Sequence, residues 1–441
     1  MIPRLFNLEQ LDRVLANSQP VPLCGHVETL KGLLAVAHLP GAAIGQQVVM
    51  GSGEDKMTGE VVGFENDRCL VMPYSYPEGL RAGARVEIRP LGHRVGVGLG
   101  FVGRSVDAFG KPIDGGPPVL AARQRSLRGR APNPLQRARI TEPISVGIRA
   151  IDGLITLGKG QRVGIFAGSG VGKSTLMGMM ARNAECDVVV IGLIGERGRE
   201  VRSFIEEDLG PEGQARSALV VATGDRSPLE RIRAAELAVT IAEDLRDRGQ
   251  NVLFLMDSVT RYAHARRELG LAAGELPATR GYPPSVFTAL PGLLERLGNS
   301  DSSGSLTALI TVLVEGDDLD EPVSDTVRGV LDGHIVLSRT LAEEGHWPAV
   351  DVGASLSRLA RSVRGQEQQQ AAETFRQVQA RYQATADLVR LGAYARGSDP
   401  FVDYYLEHES DFRAFLQQGV VEDQSFQDTQ AQLQQLVSEA P

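Results

Sequence analysis

The feature that most restricts this chain is a short run, AGSGVGKST (Ala167–Thr175), set between an apolar stretch, RVGIF, and a segment of helical spacing. Gly168, Gly170 and Gly172 let the backbone turn tightly, so that N–H groups, those of Ser169 and Val171 included, converge on phosphate oxygens. The N-terminus of the following helix adds positive partial charge. In such a loop Lys173 reaches the β- and γ-phosphates of a nucleotide, and Ser174, followed by Thr175, places its hydroxyl on Mg²⁺. Ala167 stands where the usual pattern has glycine, a small residue the turn tolerates. A glycine turn beside a chance lysine would not require the flanking strand and helix.

With 441 residues the chain has room for two or three domains. A net charge of −9 and 5% aromatic residues disfavour broad nucleic-acid binding. Cys24, Cys69 and Cys186 are odd in number and widely spaced, as reduced thiols are, and no Cys/His cluster has the spacing of a zinc site. No basic-then-apolar leader opens the sequence, and no apolar run approaches the roughly 18 residues of a membrane span. The expectation is a cytoplasmic protein whose membrane association is peripheral.

Residues 1–20 place Leu5, Leu8, Leu11 and Leu15 on one face of an amphipathic helix, which serves either partner docking or packing on its own barrel. Residues 21–93, with short β-rich runs such as GQQVVM, TGEVVGF, RCLVMPY and ARVEIRP separated by glycines and turn residues, predict a β-barrel. Residues 94–145 are rich in glycine, proline and arginine. Without interleaved aromatics they read as a solvated linker rather than a nucleic-acid patch. Residues 146–364 alternate buried strands, CDVVVIGLIG, NVLFLMD and SLTALITVLV among them, with helices, one opened by Ser227, Pro228 and Glu230. This predicts an α/β parallel sheet with helices on both faces. Residues 365–441, rich in Gln, Ala and Glu with Phe375, Val378, Tyr382 and Val389 at helical spacing, predict a helical domain.

Two carboxylates have positions that pair with the phosphate loop. Asp257 ends the strand NVLFLMD, where an acid can hold Mg²⁺ beside a P-loop. Glu196, in GERGRE after another apolar strand, either orients the water that attacks the γ-phosphate or makes a strand-end ion pair with Arg197 or Arg199.

In order along roughly residues 21–420, AGSGVGKST, IGERGREV, MDSVTRYA, LPATRGYPPSVF, TVLVEGDDLDEPVSD, LDGHIVLSR and HWPAVDVGASLSR resemble the flagellar and type III secretion export ATPases, relatives of the catalytic subunit of rotary ATP synthases. The resemblance implies a RecA-like P-loop ATPase core with an N-terminal β-barrel and a C-terminal α-helical domain, assembled as an Mg-ATP-driven homohexamer. It implies that Lys173 and Ser174 bind phosphate and metal, that Glu196 activates water and that Asp257 is the Walker B acid. Arg197 and Arg261 fall near the phosphates, or make structural ion pairs. Arg358, in SLSR, matches an arginine finger that reaches the γ-phosphate of a neighbouring subunit. Trp347, before Pro348, stands where relatives have a tyrosine stacked on adenine, and Tyr394, in GAYARGSDP, is a second candidate for that pocket. The implied partners are a stator-like regulator on the N-terminal helix, a central coiled-coil stalk, and an export gate with chaperone–substrate complexes at the inner membrane; nucleic acid is not among them. GAYARGSDP leans toward the flagellar system over the virulence type. A rotary synthase subunit is the nearest alternative by ancestry; a RecA-like nucleic-acid translocase and a nonhydrolysing scaffold are more remote.

Overall fold

The computed structural model describes residues 23–89, 93–314, 316 and 318–441. The helix expected over residues 1–20 lies outside the described residues. Two compact units result, one taking in the described chain through Arg94 with Leu271–Glu275, the other Val95–Gly270 with Leu276–Pro441.

In the first unit the β-rich runs become β1 (Cys24–Lys31), β2 (Leu34–His38), β3 (Gln47–Met50), β4 (Met57–Glu65), β5 (Arg68–Pro73) and β6 (Arg85–Ile88). They pair antiparallel in the order β1-β2-β5-β4-β3-β6, and β6 returns to β1 to close a barrel. Val27, Ala35, Val48, Val61, Val71 and Val86 fill its interior with no exposure, as β-branched and small residues on one face of the pleat do. Closure leaves no free sheet edge. Cys24, Cys69 and Cys186 are free thiols.

The stretch expected to be a solvated linker belongs instead to the second unit. Here β7 (Arg94–Val97) pairs with β9 (Arg123–Ser126), and β8 (Ser105–Val106) adds a parallel strand to the edge of the main sheet. Val95, Val97, Phe101, Val106 and Leu127 are buried in its core. Three of the arginines that suggested solvation are held in ion pairs, Arg123 with Asp244, Arg125 with Asp247 (2.8 Å) and Arg137 with Glu295 (3.2 Å). Strands of two to four residues between turns leave no hydrophobic period in the sequence, which is why composition alone read as linker.

A minor pair, β10 (Pro143–Ile144) with β11 (Leu157–Gly158), precedes the central strands β12 (Arg162–Ala167), β13 (Val188–Ile194), β14 (Ser217–Ala222), β15 (Asn251–Asp257), β16 (Ser305–Leu313), β17 (Gly333–Leu337) and β18 (Val350–Ser357). The sheet order is β18-β17-β12-β16-β15-β13-β14-β8, parallel throughout except for β18. Along β13, Val188, Val190 and Ile194 enter one core while Val189, Ile191 and Leu193 enter the other. That is how an unbroken apolar run serves a strand covered on both faces. The helix Pro228–Arg246 covers the first face, with Ser227 Oγ accepting from the Glu230 N–H (3.2 Å) as its cap. The helix Lys173–Asn183 covers the second with Leu176, Met177 and Met180.

The C-terminal helices span Gln366–Arg390, Pro400–Glu407, Glu409–Leu416 and Phe426–Leu436. Ala371, Ala372, Phe375 and Val378 form the buried stripe of the first, and Phe375 meets the Phe412 ring at 4.7 Å between centroids. The glutamine-rich segments lie within helices. No helix among the described residues is long and apolar enough to cross a membrane.

One buried ion pair fastens the second unit. Arg296 and Glu243, both 4% exposed, pair through two hydrogen bonds (2.9 and 2.7 Å), while the same guanidinium donates to the Leu127 carbonyl (2.8 Å) and Thr240 Oγ1 (2.9 Å). Truncating the acid strands a buried cation. Glu243→Ala is expected to lower unfolding free energy by about 3–5 kcal/mol in urea titrations, and Glu243→Ala/Arg296→Met to recover most of that loss.

Candidate active site

Ala167 closes β12 between β16 and β17, paired with Leu313 and Leu337 and almost fully buried, so its methyl group joins the core where the chain leaves the sheet. Gly170 and Gly172 both take φ of +79°, a left-handed conformation that costs a side-chain-bearing residue about 1–2 kcal/mol. The turn delivers Lys173 to the first position of its helix, so the N–H groups of that helix and the lysine face one place.

Two more strand ends meet it there. Asp257 ends β15, and its Oδ1 accepts from Lys173 Nζ (2.5 Å) and from Thr311 Oγ1 (2.8 Å) on the intervening strand β16. Glu196 follows β13 through Gly195, and its Oε1 lies 3.9 Å from Lys173 Nζ. Burial, then the Asp257 carboxylate, pushes Glu196 up to about 7 against the pull of Lys173. The strand-end ion pair left open by sequence forms elsewhere: the exposed Arg197 bonds Glu200 (2.7 Å), leaving Glu196 turned to the lysine.

Arg261 lies along Gly195, where an added β-carbon would come within 2.8 Å of the arginine side chain. Arg261 Nε and Glu196 Oε1 are both buried with no hydrogen-bond partner among the described residues. His264 is held neutral, pushed down to about 4 by burial and then by Arg267, Arg261 and Arg231. Lys173, Glu196, Arg261 and His264, with Gly168, Ser169 and Ser174, line a cavity of about 650 Å³. The Thr175 hydroxyl bonds the Asp208 carboxyl at the root of the helix.

The donor set suits a small hard cation. The Ser174 hydroxyl on the cavity wall and the buried Asp257 carboxylate behind Lys173 are oxygen ligands of the kind Mg²⁺ takes together with substrate phosphates, and no cluster of three His, Cys, Asp or Glu among the described residues offers a protein cage. Orphaned Glu196 Oε1 and Arg261 Nε leave polar capacity for phosphate and water.

Of the remaining candidates, Trp347 reaches the loop. Its ring lies against Gly172, where an added β-carbon would sit 2.6 Å from the indole, and the residue is 41% exposed. Its carbonyl accepts from the Gln418 N–H (2.9 Å). Tyr394 does not line the cavity; its hydroxyl lies 3.1 Å from both the Asp399 carbonyl and Asp403 Oδ1, fastening the loop before the helix Pro400–Glu407. Arg358 follows β18, whose Ser357 pairs with Gly333 at the start of β17, so it lies at the sheet edge opposite the phosphate loop. Its N–H donates to the Asp332 carbonyl (3.0 Å), and its exposed side chain touches only the Arg328 carbonyl at 3.5 Å among the described residues. Sequence reasoning passed over Thr311, whose hydroxyl inside the apolar run SLTALITVL was the available signal, and His264, which carried none.

Three family models match the chain: the ATP synthase alpha/beta family beta-barrel domain over residues 32–89, the nucleotide-binding domain of that family over 147–357, and the T3SS EscN ATPase C-terminal domain over 365–435. A flagellum-specific ATP synthase of Treponema pallidum is 49% identical over 96% of this chain and 95% of its own. A type 3 secretion system ATPase of Pseudomonas syringae pv. tomato is 46% identical over 97% and 96%. The assembled ATPase EscN of the enteropathogenic E. coli type III secretion system superposes with a TM-score of 0.87 at 42% identity, covering 94% of this chain and 100% of that one. A P-loop, two strand-end acids and a barrel–sheet–helix order shared over nearly the whole length leave one placement: the chain belongs to the family of flagellum-specific ATP synthases and type III secretion ATPases, and is an ATP-hydrolysing enzyme.

Proposed function

We propose that this enzyme hydrolyses Mg-ATP at the seams of a homohexamer and couples the reaction to unfolding and export of proteins through a flagellar or type III apparatus. The observation that carries the seam is the position of Arg358. From Arg162 to Ala167 the strand β12 spans about 17 Å, so an arginine at its starting edge cannot serve the loop at its finishing edge. A second copy placed head to tail can bring Arg358 to that loop, and identical subunits then complete every site.

At each seam the glycine loop and Lys173 hold the triphosphate. Lys173 exchanges the Asp257 carboxylate for phosphate oxygens, which frees Asp257, with the Ser174 hydroxyl, to hold the cation. Bound Mg²⁺ supplies charge neutralisation on the phosphates. Glu196 orients the attacking water and takes up its proton, a role that an acid pushed up to about 7 fills near neutral pH. Arg261, lying beside Glu196, and the neighbour's arginine balance charge on the transferred group. Trp347 stacks on the base, as an indole face beside the loop allows.

Support for the export role comes from the relatives. Among them EscN is also seen in complex with its central stalk, EscO. By analogy a coiled-coil stalk partner is proposed for this chain, with a regulator on residues 1–20, an export gate and chaperone–substrate complexes, and a cytoplasmic position at the inner membrane. A net charge of −9 weighs against the nucleic-acid translocase alternative.

Glu196→Gln is expected to reduce turnover at least about 100-fold while leaving ATP affinity within about threefold; unchanged turnover would remove its assigned role. Specific activity of the wild type should rise with protein concentration, and Arg358→Ala should cost about a thousandfold or more. An equimolar mixture of Arg358→Ala with Lys173→Ala should regain part of that activity, because mixed seams join an intact loop to an intact finger. Activity independent of concentration that survives loss of Arg358 would mean a self-contained site. Trp347→Ala should raise KM for ATP about tenfold, with Trp347→Tyr near wild type.

A further inference from the structure

Gln161 immediately precedes β12 and is completely buried. Its Oε1 accepts from the Gly158 N–H (2.8 Å), and its Nε2 donates to the Asp332 carbonyl (2.9 Å) and Ser357 Oγ (3.0 Å). Both acceptors adjoin Arg358. The Asp332 carbonyl also accepts the Arg358 N–H (3.0 Å), and Ser357 is the preceding residue. Asp332 is fixed further by Arg162, whose backbone N–H (3.1 Å), Nε (3.1 Å) and Nη2 (3.2 Å) all donate to its carboxylate. The backbone under Arg358 is therefore clamped from two sides while the guanidinium stands in solvent.

We propose that Gln161 is the positioning residue for the Arg358 finger, an inference that rests on the seam reading above. An apolar side chain would fill this interior without the desolvation cost of an amide. Only a group that accepts at one end and donates at the other closes the links from Gly158 to Asp332 and Ser357 together. A long, flexible arginine transmits any shift of its root to its tip, and a misplacement of about 1 Å at a reacting charge can cost a hundredfold in rate. Gln161 touches no phosphate and acts through Arg358 alone. Because the same strand ends in Ala167, it supports the finger of one seam at its start and carries the phosphate loop of another seam at its end.

The test uses the full chain and separates positioning from simple loss of structure. Gln161→Met, which removes the donor at similar volume, is expected to lower kcat about tenfold or more while KM for ATP changes less than about twofold. Added in equal amount, Lys173→Ala chains, which carry intact fingers but dead loops, should raise its activity several-fold, since about a quarter of randomly formed seams then join a working loop to a supported finger. A Lys173→Ala/Gln161→Met chain should rescue Arg358→Ala about tenfold or more less well than Lys173→Ala does. Gln161→Glu, which keeps the acceptor toward Gly158, provides a second variant should Gln161→Met not fold, with the same loss and rescue expected. If Lys173→Ala rescues Arg358→Ala but neither Gln161 variant, or if both variants keep wild-type kcat, Gln161 is only a structural amide and the inference falls. If Arg358→Ala itself is not rescued, the seam reading fails, and this inference with it.

Discussion

Parallel strands all finish at one edge of a sheet, and that polarity is the constraint on which this enzyme's chemistry depends. β12, β15 and β13 end together, so the phosphate loop, Asp257 and Glu196 emerge side by side although they come from distant parts of the chain. β16 lies between the loop strand and the Asp257 strand, holding them two strand spacings, about 10 Å, apart. Lys173 bridges this interval, and Thr311, on the strand between, steadies the carboxylate that the lysine reaches. Two acids and one base in so little solvent cannot all be charged at no cost. The raised Glu196 is where that strain appears.

Sequence disclosed most where physical requirements act on consecutive residues. β13 and β15 had to be apolar on both faces, and their runs VVVIGLI and VLFLM are unbroken; the loop glycines Gly170 and Gly172 had to take conformations that other residues avoid. The barrel was visible because its short β-rich runs are separated by glycines and other turn residues. What stayed hidden depended on long-range pairing. β8 is two residues long, and its place beside β14 arises only once the sheet exists. The arginines at 123, 125 and 137 look solvated until Asp244, Asp247 and Glu295 arrive from more than a hundred residues away. Arg358 could be named from its motif, but its position opposite the loop follows from the antiparallel return of β18, which local spacing does not announce. For Tyr394 the motif pointed to a base pocket, and the fold uses its hydroxyl to tie a loop.

The C-terminal helices are wired to the same centre by a few buried polar groups. Arg149 donates to the Ala414, Phe415 and Gln417 carbonyls and pairs with Glu422, while Gln418 reaches the Gly147 carbonyl (2.8 Å) and, through its N–H, the carbonyl of Trp347. Arg182, at the end of the helix that Lys173 begins, donates to the Val420 carbonyl (2.6 Å). Segment 414–422 thus contacts both the indole residue and the helix of the phosphate loop. Any displacement of the helical domain would be felt at Trp347 and at the helix that carries Lys173 through hydrogen bonds rather than loose packing.

Under the proposed seam, with Arg358 serving a neighbour's loop, the opposite placement of loop and finger on one sheet has a consequence for incomplete assemblies. An open arc of such subunits always ends in one loop that no finger reaches and one finger that serves no loop, so a pair of chains completes a single site. Each added subunit contributes one more, and the last idle site disappears only when the arc closes on itself. Output per chain would therefore climb with arc length and level off at closure, making the enzyme a gauge of its own ring.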